Sequence, residues 1–387
     1  MVKSTGISLI YGPKQTIIRV GVILTILWIA IKCTRNPVKA FKLLRSLIKE
    51  RLNIHENSGE FKSVRSAGRY YWSVNFPGWP SESFNNFILN EMNRILIPHE
   101  SHLQTIILSI TNICNLNCTH CYESENISHA NKLSLAELKT VISKIREAGI
   151  NHIHLSGGEP LCRFGDMLEL MKHSGNNCEY WINTSGFGLT KEKAIKMKEY
   201  GMTGAVISLD HWNEDSHNAF RKNEKSFYWV TEAARNCNEA GILVCLSLCP
   251  MREFVSEENL NIYHNLAKEL RAGFIRIFEP RKSGRFAGED ILLSDEQLSL
   301  IDRFMLTRNS DSKYLNFPIV QFTGHHQRKS GCLGAGNRYI FIDSNGEYHS
   351  CPFCRKSLGN ALAESINTGI SRARASGCHV FKQITLT

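Results

Sequence analysis

The chain has 387 residues, an apolar fraction of 42% and a formal net charge of +10. This composition excludes a fibrous or disordered chain and allows one large domain with smaller attachments. Its 13 cysteines are an odd number in a chain too long for a small disulfide scaffold, and no cleavable signal peptide is evident. We therefore expect a reducing compartment, with some cysteines acting as metal ligands.

An almost wholly apolar run at residues 20–31 lies near the N-terminus. It is shorter than the roughly 20 residues that span a bilayer. The preceding Arg19 can place its charged end at the interface, which extends the usable length back to about residue 16. The run therefore favours a membrane anchor, with a buried or monotopic helix as the alternative.

A basic amphipathic helix is predicted directly after this run, at residues 37–52. Apolar residues recur there at helical spacing, and they are Val38, Phe41, Leu44, Ile48 and Leu52. The basic residues fall largely off that stripe, and they are Lys39, Lys42, Arg45 and Lys49. Such a helix is typical of binding to anionic lipid. We therefore expect residues 1–53 to hold the protein at the cytoplasmic face of a membrane, with a solvated helix on a cytoplasmic protein as the alternative.

Residues 54–103 are rich in aromatic side chains and form a linking subdomain without assigned chemistry. From residue 104 to 310, strand-like and helix-like runs alternate. The strand-like runs are 105–110, 152–155, 180–183, 205–209, 243–248 and 274–278. The helix-like runs are 134–148, 165–173, 190–199, 227–240, 257–270 and 294–306. This alternation predicts a parallel β/α fold with its site at the C-terminal ends of the strands.

Three cysteines, Cys114, Cys118 and Cys121, follow the first predicted strand. Three thiolates can bind three irons of a [4Fe–4S] cube, and the fourth iron then stays open, because a cube takes four ligands. The amino and carboxylate groups of a methionine moiety suit that position. Zinc would want four closed ligands, a redox CxxC pair would leave Cys114 unexplained, and structural cysteines would not crowd a strand-end loop. The spacing favours the open cluster.

Polar motifs follow the next three predicted strands. In Gly157-Gly158-Glu159-Pro160 the glycines allow close backbone approach, and the carboxylate can accept from an ammonium group. Asn183-Thr184-Ser185-Gly186 can bind a ribose or a carboxylate, or form only a polar turn. Ser208 and Asp210 end the fourth strand and Arg221 lies downstream, where a salt bridge between Asp210 and Arg221 is an equally good structural explanation.

The cysteine motif followed by the GGEP motif resembles the radical SAM superfamily, whose signature is CxxxCxxC after the first barrel strand. The resemblance covers residues 104–285 and implies a partial (β/α)6 TIM-type barrel. It implies that GGEP binds the amino group of S-adenosylmethionine (SAM), and that the polar groups ending the third and fourth strands contact its ribose and carboxylate. Residues 279–285 resemble a loop near the substrate. The sequence departs from the family at His120, where an aromatic carbocycle is usual, and only local packing is expected to change.

Four further cysteines lie in the tail from residue 311, and they are Cys332, Cys351, Cys354 and Cys378. Strand-like runs at 339–342 and 347–350 flank Asn345-Gly346, which predicts a hairpin. The pattern resembles the C-terminal SPASM/twitch extension of radical SAM enzymes, which carries one or two auxiliary [4Fe–4S] clusters. Because the tail has four cysteines rather than seven or so, we expect one auxiliary cluster. A zinc site on the same thiolates is the alternative.

The predicted fold class is therefore α/β: a membrane-associated helical segment, a radical SAM partial barrel at 104–310 and a small cluster domain at 311–387. The resemblance implies reductive cleavage of SAM to a 5′-deoxyadenosyl radical that takes hydrogen from a peptide, a protein or a membrane lipid. It implies an electron donor such as flavodoxin or ferredoxin. The alternative is a non-enzymatic, membrane-associated iron–sulfur electron carrier or redox sensor. Nucleic acid is not an expected partner, because the basic stretch lies beside the apolar run.

Overall fold

The computed structural model describes residues 7–55, 62–97, 103–175 and 177–381, with side chains omitted for 50–55. Its largest element is a nine-stranded sheet with the strand order β10-β9-β8-β7-β6-β5-β4-β11-β12. All pairs in this sheet are parallel except β11 with β12. The strands are β4 (Thr105–Ser109), β5 (His152–Ser156), β6 (Glu179–Thr184), β7 (Met202–Ser208), β8 (Leu243–Leu248), β9 (Phe274–Ile277), β10 (Ile319–Phe322), β11 (Tyr339–Ile342) and β12 (Tyr348–His349).

Helices follow the first six of these strands, as the alternation predicts. They pack on the outer face of the sheet through Leu, Ile, Val and Ala side chains that form the main core. The helices that follow these six strands are α4 (Leu135–Glu147), α5 (Phe164–Ser174), α6 (Lys191–Glu199), α7 (Glu214–Arg221), α8 (Ser226–Ala240), α9 (Glu257–Glu269) and α10 (Asp295–Ser310). Two more helices lie in the tail, α11 (Thr323–Ser330) and α12 (Ile366–Ser376). The expected six-strand parallel architecture is confirmed.

One predicted strand begins too late in the chain. We expect the strand at 205–209, whereas β7 begins at Met202. The cause is Gly204, which interrupts the apolar pattern although it lies inside the strand. Only glycine fits at this position, because a Cβ there would lie 2.3 Å from the Trp181 ring. The glycine makes room for a buried indole, so the apparent strand break is a packing feature.

The tail contributes strands to both ends of the barrel sheet. β10 pairs with β9, and β11 pairs with β4. The Lys144 ammonium on α4 donates to the carbonyls of Ala361, Leu362 and Glu364 at 2.7–3.0 Å, which fastens the last part of the tail to the barrel. β10 is absent from the predicted elements because it has only four residues and follows the region at 104–310 where strands and helices alternate. The domain boundary at residue 311 stays a prediction.

A small antiparallel sheet closes the N-terminal end of the barrel. It consists of β1 (Ser8–Tyr11), β2 (Lys62–Ser66) and β3 (Arg69–Tyr71). Side chains from this region pack on residues of the barrel interior in one apolar cluster, and its buried members are Val64, Tyr71, Val74, Trp181, Val206, Leu243, Cys245, Phe274 and Ile319. This cluster, which joins side chains of the aromatic-rich segment to side chains of the barrel strands, forms the apolar floor of the barrel lumen.

Three helices pack together beside this small sheet: α1 (Pro13–Thr34), α2 (Pro37–His55) and α3 (Glu82–Leu96). By length and composition, α1 is apolar enough to cross a membrane. One face of α1 is nevertheless buried against the protein body, where Gly21 lies against the Trp79 ring and the Trp79 indole donates to Thr25 Oγ1 at 3.0 Å. The predicted helix at 37–52 is confirmed as α2, although Leu52 lies outside the side chains that the structure describes.

The outer faces of α1 and α2 carry exposed apolar side chains. On α1 they recur at helical spacing, and they are Ile17, Val20, Leu24, Trp28 and Ile31. On α2 they are Val38, Phe41 and Ile48. Exposed fractions reach 72% at Ile17 and 65% at Val38. The predicted apolar stripe of α2 is therefore split, because Leu44 is buried against the body while Val38, Phe41 and Ile48 face outward.

Candidate functional site

The three-cysteine loop lies at the C-terminal edge of the sheet, after β4. Two backbone hydrogen bonds attach it to the GGEP motif: Gly158 N–H donates to Thr111 O at 2.9 Å, and Glu159 N–H donates to Ile113 O at 2.8 Å. A Cβ at Gly158 would lie 2.3 Å from Ile113 O. The second glycine is therefore required because the cysteine loop packs closely against it. From the sequence alone, the close approach was expected to be that of a ligand.

A second loop, at residues 279–285, supports the cysteine loop from the other side. The Arg285 backbone N–H donates to Cys121 O at 3.1 Å, and its Nη1 donates to Cys118 O at 2.7 Å. Gly284 has a φ of +57°, and a Cβ there would lie 2.2 Å from Cys121 O. The loop predicted to lie near the substrate thus also positions two of the three cysteines.

The sulfur atoms of the motif are buried or half-buried. Cys114 Sγ accepts from Leu116 N–H at 3.4 Å, and Cys118 Sγ lies 3.6 Å from Arg221 Nη1. Burial raises the pKa of the Cys114 thiol to about 12. Burial also raises the pKa of Cys121, which belongs to the CxxC pair Cys118–Cys121. A redox-active dithiol needs a lowered pKa, so the environment disfavours the redox-pair alternative.

The spacing of the sulfurs also bears on the zinc alternative. Around one zinc ion with Zn–S bonds of about 2.3 Å, tetrahedral thiolates would lie about 3.8 Å apart. Among the described residues, ligand atoms within 4.8 Å of one another occur in one group of three, Asp343, Glu347 and His349. The motif cysteines are not in such a group. Three thiolates on one loop match three irons of a cube that takes four ligands, so the donor set fits an open [4Fe–4S] cluster.

The buried Glu159 carboxylate holds the loop at the end of β6. It accepts from Thr184 Oγ1 at 2.7 Å, from Ser185 N–H at 2.8 Å and from Ser185 Oγ at 2.6 Å. It also accepts from Leu161 N–H at 3.2 Å. The two predicted loops thus form one unit, with Asn183 half-buried beside it. Binding of the SAM amino and ribose groups by Gly157, Gly158, Glu159, Pro160, Asn183, Thr184 and Ser185 stays a prediction.

Asp210 and Arg221 form a buried ion pair beside the cysteine loop. Arg221 Nη2 lies 2.5 Å from Asp210 Oδ2, and Arg221 Nε donates to the same oxygen at 2.7 Å. Burial acts to raise the pKa of Asp210, but the Arg221 charge outweighs it and holds that pKa below its usual range. The salt bridge that the structural alternative anticipated is therefore present, and Arg221 also links Asp210 to Cys118. Contact of Ser208, Asp210 or Arg221 with SAM stays a prediction.

His120, the departure from the family pattern, is half-buried against this pair. Its ring stacks on Phe220 with centroids 4.6 Å apart. Burial lowers its pKa to about 4, so the ring is neutral near pH 7. The histidine therefore fills the place of an aromatic carbocycle as a flat, neutral ring, and its effect is local packing as expected.

The structure gathers the four tail cysteines around the β11–β12 hairpin. Cys351 Sγ lies 3.4 Å from Cys354 Sγ, and Cys332 lies close enough to Cys378 to hydrogen-bond it. The charges of Cys354 and Cys351 also reach Cys332. The tail thus provides four convergent thiols, although their spacing is not that of a single-ion group among the described residues.

The two cysteine loops contact each other directly. The Tyr122 and Phe353 rings meet edge to face with centroids 5.7 Å apart. Beside them, Arg355 Nη1 lies 2.7 Å from the buried Glu123 Oε1. Sequence reasoning missed Glu123 and Arg355, which are 232 residues apart. The available signal was that Glu123 lies two residues after Cys121 and that Arg355 directly follows Cys354.

Two other features of the structure are not functional candidates. The Asp343–Glu347–His349 group is a turn, because Asp343 accepts from the backbone N–H groups of Asn345 and Glu347 at 2.9 Å. A cavity of about 520 Å³ is lined by residues including Arg69 and Lys198, at the opposite end of the strands from the cysteines. Its position separates it from the site described above.

Part of the chain matches a known protein family. Residues 108–266 match the Radical SAM superfamily model. The chain is 30% identical to Fe-coproporphyrin III synthase of Methanosarcina barkeri, over 56% of this chain and 54% of that protein. It is 26% identical to the antilisterial bacteriocin subtilosin biosynthesis protein AlbA of Bacillus subtilis, over 66% of this chain and 57% of that protein. The chain therefore spans little more than half the length of these relatives.

A solved structure shares the fold. Streptococcus suis SuiB, bound to the precursor peptide SuiA, superposes with a TM-score of 0.58 and 13% identity, over 88% of this chain and 80% of that one. The region that matches the Radical SAM superfamily model, residues 108–266, contains the cysteine motif, GGEP and the Asp210–Arg221 pair. The chain therefore carries a domain of the radical SAM superfamily, whose members are enzymes that bind a [4Fe–4S] cluster and SAM.

Proposed function

We propose that this protein is a radical SAM enzyme that abstracts hydrogen from a peptide or protein substrate. The observation that carries the proposal is the three-cysteine loop, held at the open edge of the barrel by GGEP on one side and Arg285 on the other. With the cluster and SAM bound, the chemistry is one-electron cleavage of SAM to methionine and a 5′-deoxyadenosyl radical, which takes a hydrogen atom from substrate. An external donor such as flavodoxin or ferredoxin supplies the electron.

The chain's own residues position the reactants and exclude water. Glu159 keeps the Thr184–Ser185 loop against the GGEP segment, so both loops face the same space. The Arg221 guanidinium places a positive charge beside Cys118 Sγ, with Nη1 3.6 Å from the sulfur, which orients this side chain toward the site. The apolar floor closes the far end of the lumen, so water cannot enter the barrel from that end.

The substrate class is supported by the relatives. AlbA is named for the biosynthesis of a bacteriocin, which favours a peptide. The relative from Methanosarcina barkeri is named for a porphyrin, so a tetrapyrrole is the second candidate. A membrane lipid is the third, and it rests on the exposed apolar faces of α1 and α2.

The proposed function is tested by 5′-deoxyadenosine formation from SAM, using anaerobically reconstituted protein reduced with dithionite. Formation would establish the reaction class before the substrate is known. If cluster-loaded, reduced protein forms none, alone or with peptide and porphyrin mixtures, the electron-carrier alternative gains support instead.

The tail cysteines are proposed to hold one auxiliary [4Fe–4S] cluster. We expect Cys351→Ala to lose about four irons per chain, the content of one such cluster, while the first cluster remains, because the two cysteine sets lie on separate loops. Iron and sulfide analysis with electron paramagnetic resonance measures both. Cys162→Ala, an exposed cysteine outside both sets, is the control. A Cys351 variant that loses all its iron would contradict two separate sites, and zinc in the wild-type tail would support the zinc alternative.

The protein is also proposed to act at the cytoplasmic face of a membrane, with the apolar faces of α1 and α2 in the lipid surface. These faces lie beside exposed basic residues, and those include Lys32, Arg35, Lys39, Lys42, Arg45 and Lys49. An apolar face with a basic rim fits a surface of anionic lipid. Lying in the membrane plane keeps the inner face of α1 packed on the body, whereas spanning the bilayer would expose it.

We expect the double substitution Val38→Asp and Phe41→Asp to weaken vesicle binding by at least about tenfold, because burying each apolar side chain is worth about 1.5–3 kcal/mol. The measurement is co-sedimentation of the full chain with phosphatidylcholine vesicles, with and without phosphatidylglycerol. Tyr228→Asp, an equally exposed apolar position on α8, is the matched control. Equal sedimentation of the double variant and the control would refute surface binding. Substitution is preferable to truncation, because removing α1 would uncover Trp72, Phe84 and Met92.

A further inference from the structure

The barrel lumen has a polar layer directly above its apolar floor. Successive strand residues alternate between the two faces of a sheet, so a residue two positions after a floor residue also faces the lumen. The floor residues Val206, Cys245, Phe274 and Ile319 are followed in this way by Ser208, Ser247, Arg276 and Gln321. Pairing places these four at one level on adjacent strands, with Ser208 beside Ser247, Ser247 beside Arg276 and Arg276 beside Gln321.

Arg276 is the charged member of this layer, and it is 7% exposed. Among the described residues, no carboxylate lies within ion-pair distance of it, and its buried Nε–H has no acceptor. Its guanidinium stacks over the Phe278 ring at 4.6 Å, which does not neutralise the charge. Arg221, another buried arginine of the site, contrasts with it because Asp210 neutralises that charge.

The neighbours of Arg276 are neutral hydrogen-bonding groups. Ser208, Ser247 and Gln321 remain partly exposed although they lie within the sheet, so the layer faces open lumen. Gln321 Oε1 also lacks a hydrogen-bond partner among the described residues. His154 reaches the same region, and burial together with the Arg276 charge lowers its pKa to about 4. No acidic group in this layer offsets the arginine.

A buried charge is costly unless it is paired, and an arginine fork matches a carboxylate with two parallel hydrogen bonds. We propose that Arg276, flanked by Ser247 and Gln321, binds a carboxylate of the substrate in the barrel lumen. The unpaired Gln321 oxygen accepts an adjacent N–H, as the backbone next to an acidic residue of a peptide would offer. This inference rests on the proposed function, and it specifies a substrate that carries an acid group.

SAM also has a carboxylate, but its methionine end and Arg276 belong to different strands. The cysteine loop and GGEP follow β4 and β5, whereas Arg276 lies on β9, four strands from β5 in the sheet order. The methionine end of SAM belongs at the open iron beside the cysteines. We therefore assign the carboxylate at Arg276 to the substrate; Ser208 of the same layer is a predicted SAM contact, so the measurement with saturating SAM distinguishes the two sources.

The test uses propionate as probe and propionamide as its neutral match, at constant ionic strength, on anaerobically reconstituted protein. The readout is the thermal unfolding midpoint with and without saturating SAM. We expect propionate to raise the midpoint of the unsubstituted protein more than propionamide does, also with SAM present, and to do so with at least tenfold weaker affinity in Arg276→Met. Without propionate, we expect Arg276→Met to unfold at a higher temperature and Arg221→Met at a lower one, because only the first removes an unpaired charge.

Three results would overturn the inference: equal shifts with propionate and propionamide in the unsubstituted protein, loss of the propionate shift when SAM is added, or destabilisation by Arg276→Met as large as that by Arg221→Met. The second result would assign the carboxylate to SAM. Because the thermal shifts need no SAM cleavage and 5′-deoxyadenosine formation needs no propionate, failure of this inference is distinguishable from failure of the proposed function.

Discussion

Cys118→Ala is expected to reduce 5′-deoxyadenosine formation by at least about a thousandfold, which corresponds to about 4 kcal/mol in the activation barrier. Cys118 is the most buried cysteine of its motif. Its Sγ faces Arg221, and its carbonyl is held by Arg285. With two thiolates left, the loop cannot hold three irons of a cube. The measurement is 5′-deoxyadenosine by chromatography, together with iron per chain.

Cys162→Ala is the matched control for this substitution, because Cys162 is exposed and lies just after the GGEP motif without belonging to the triad. It should retain both iron content and 5′-deoxyadenosine formation. If the Cys118 variant still formed 5′-deoxyadenosine at the control's rate, the triad would not be the cluster site. A variant that lost activity while keeping all its iron would show that the remaining ligands tolerate the change, and the role of Cys118 would then be positional.

The strands that the sequence predicts well are those whose signal is local. β8 matches its predicted bounds, Leu243–Leu248, because it is a short apolar run between a helix-ending glycine and a turn. β11 and β12 pair across Asn345-Gly346 as expected, because the turn residues themselves specify the hairpin. In these elements, local chemistry and tertiary packing favour the same conformation.

The features that the sequence did not predict depend on contacts between distant residues. β10 is stabilised by pairing with β9, and the small sheet by packing on Trp181 and Phe274. The role of Gly158 is visible only when the backbone of Ile113 lies against it. The Glu123–Arg355 ion pair joins two loops that no periodicity connects. Sequence reasoning identified the cysteines and polar motifs of the candidate site, but not the groups that hold them in place.

Asp210→Asn is expected to lower the free energy of unfolding by about 3–5 kcal/mol, because removing one partner of a buried ion pair leaves the other charge uncompensated. Asp210 accepts two contacts from Arg221 and also accepts from Cys249 N–H at 3.2 Å. The amide of asparagine can keep one of these hydrogen bonds but not the charge. Urea unfolding of the wild-type and variant proteins, prepared identically, measures the difference.

The double variant Asp210→Asn with Arg221→Met tests whether the two residues contribute to stability as a pair or independently. Replacing both members of a buried ion pair with groups of similar volume is often close to neutral, so the double variant should recover most of the lost stability. It should not recover 5′-deoxyadenosine formation, because the positive charge beside Cys118 Sγ is gone. Recovery of stability without activity would mean that this pair is retained for the cluster site rather than for folding. Additive losses in the two single variants and the double variant would instead mean that Asp210 and Arg221 act independently.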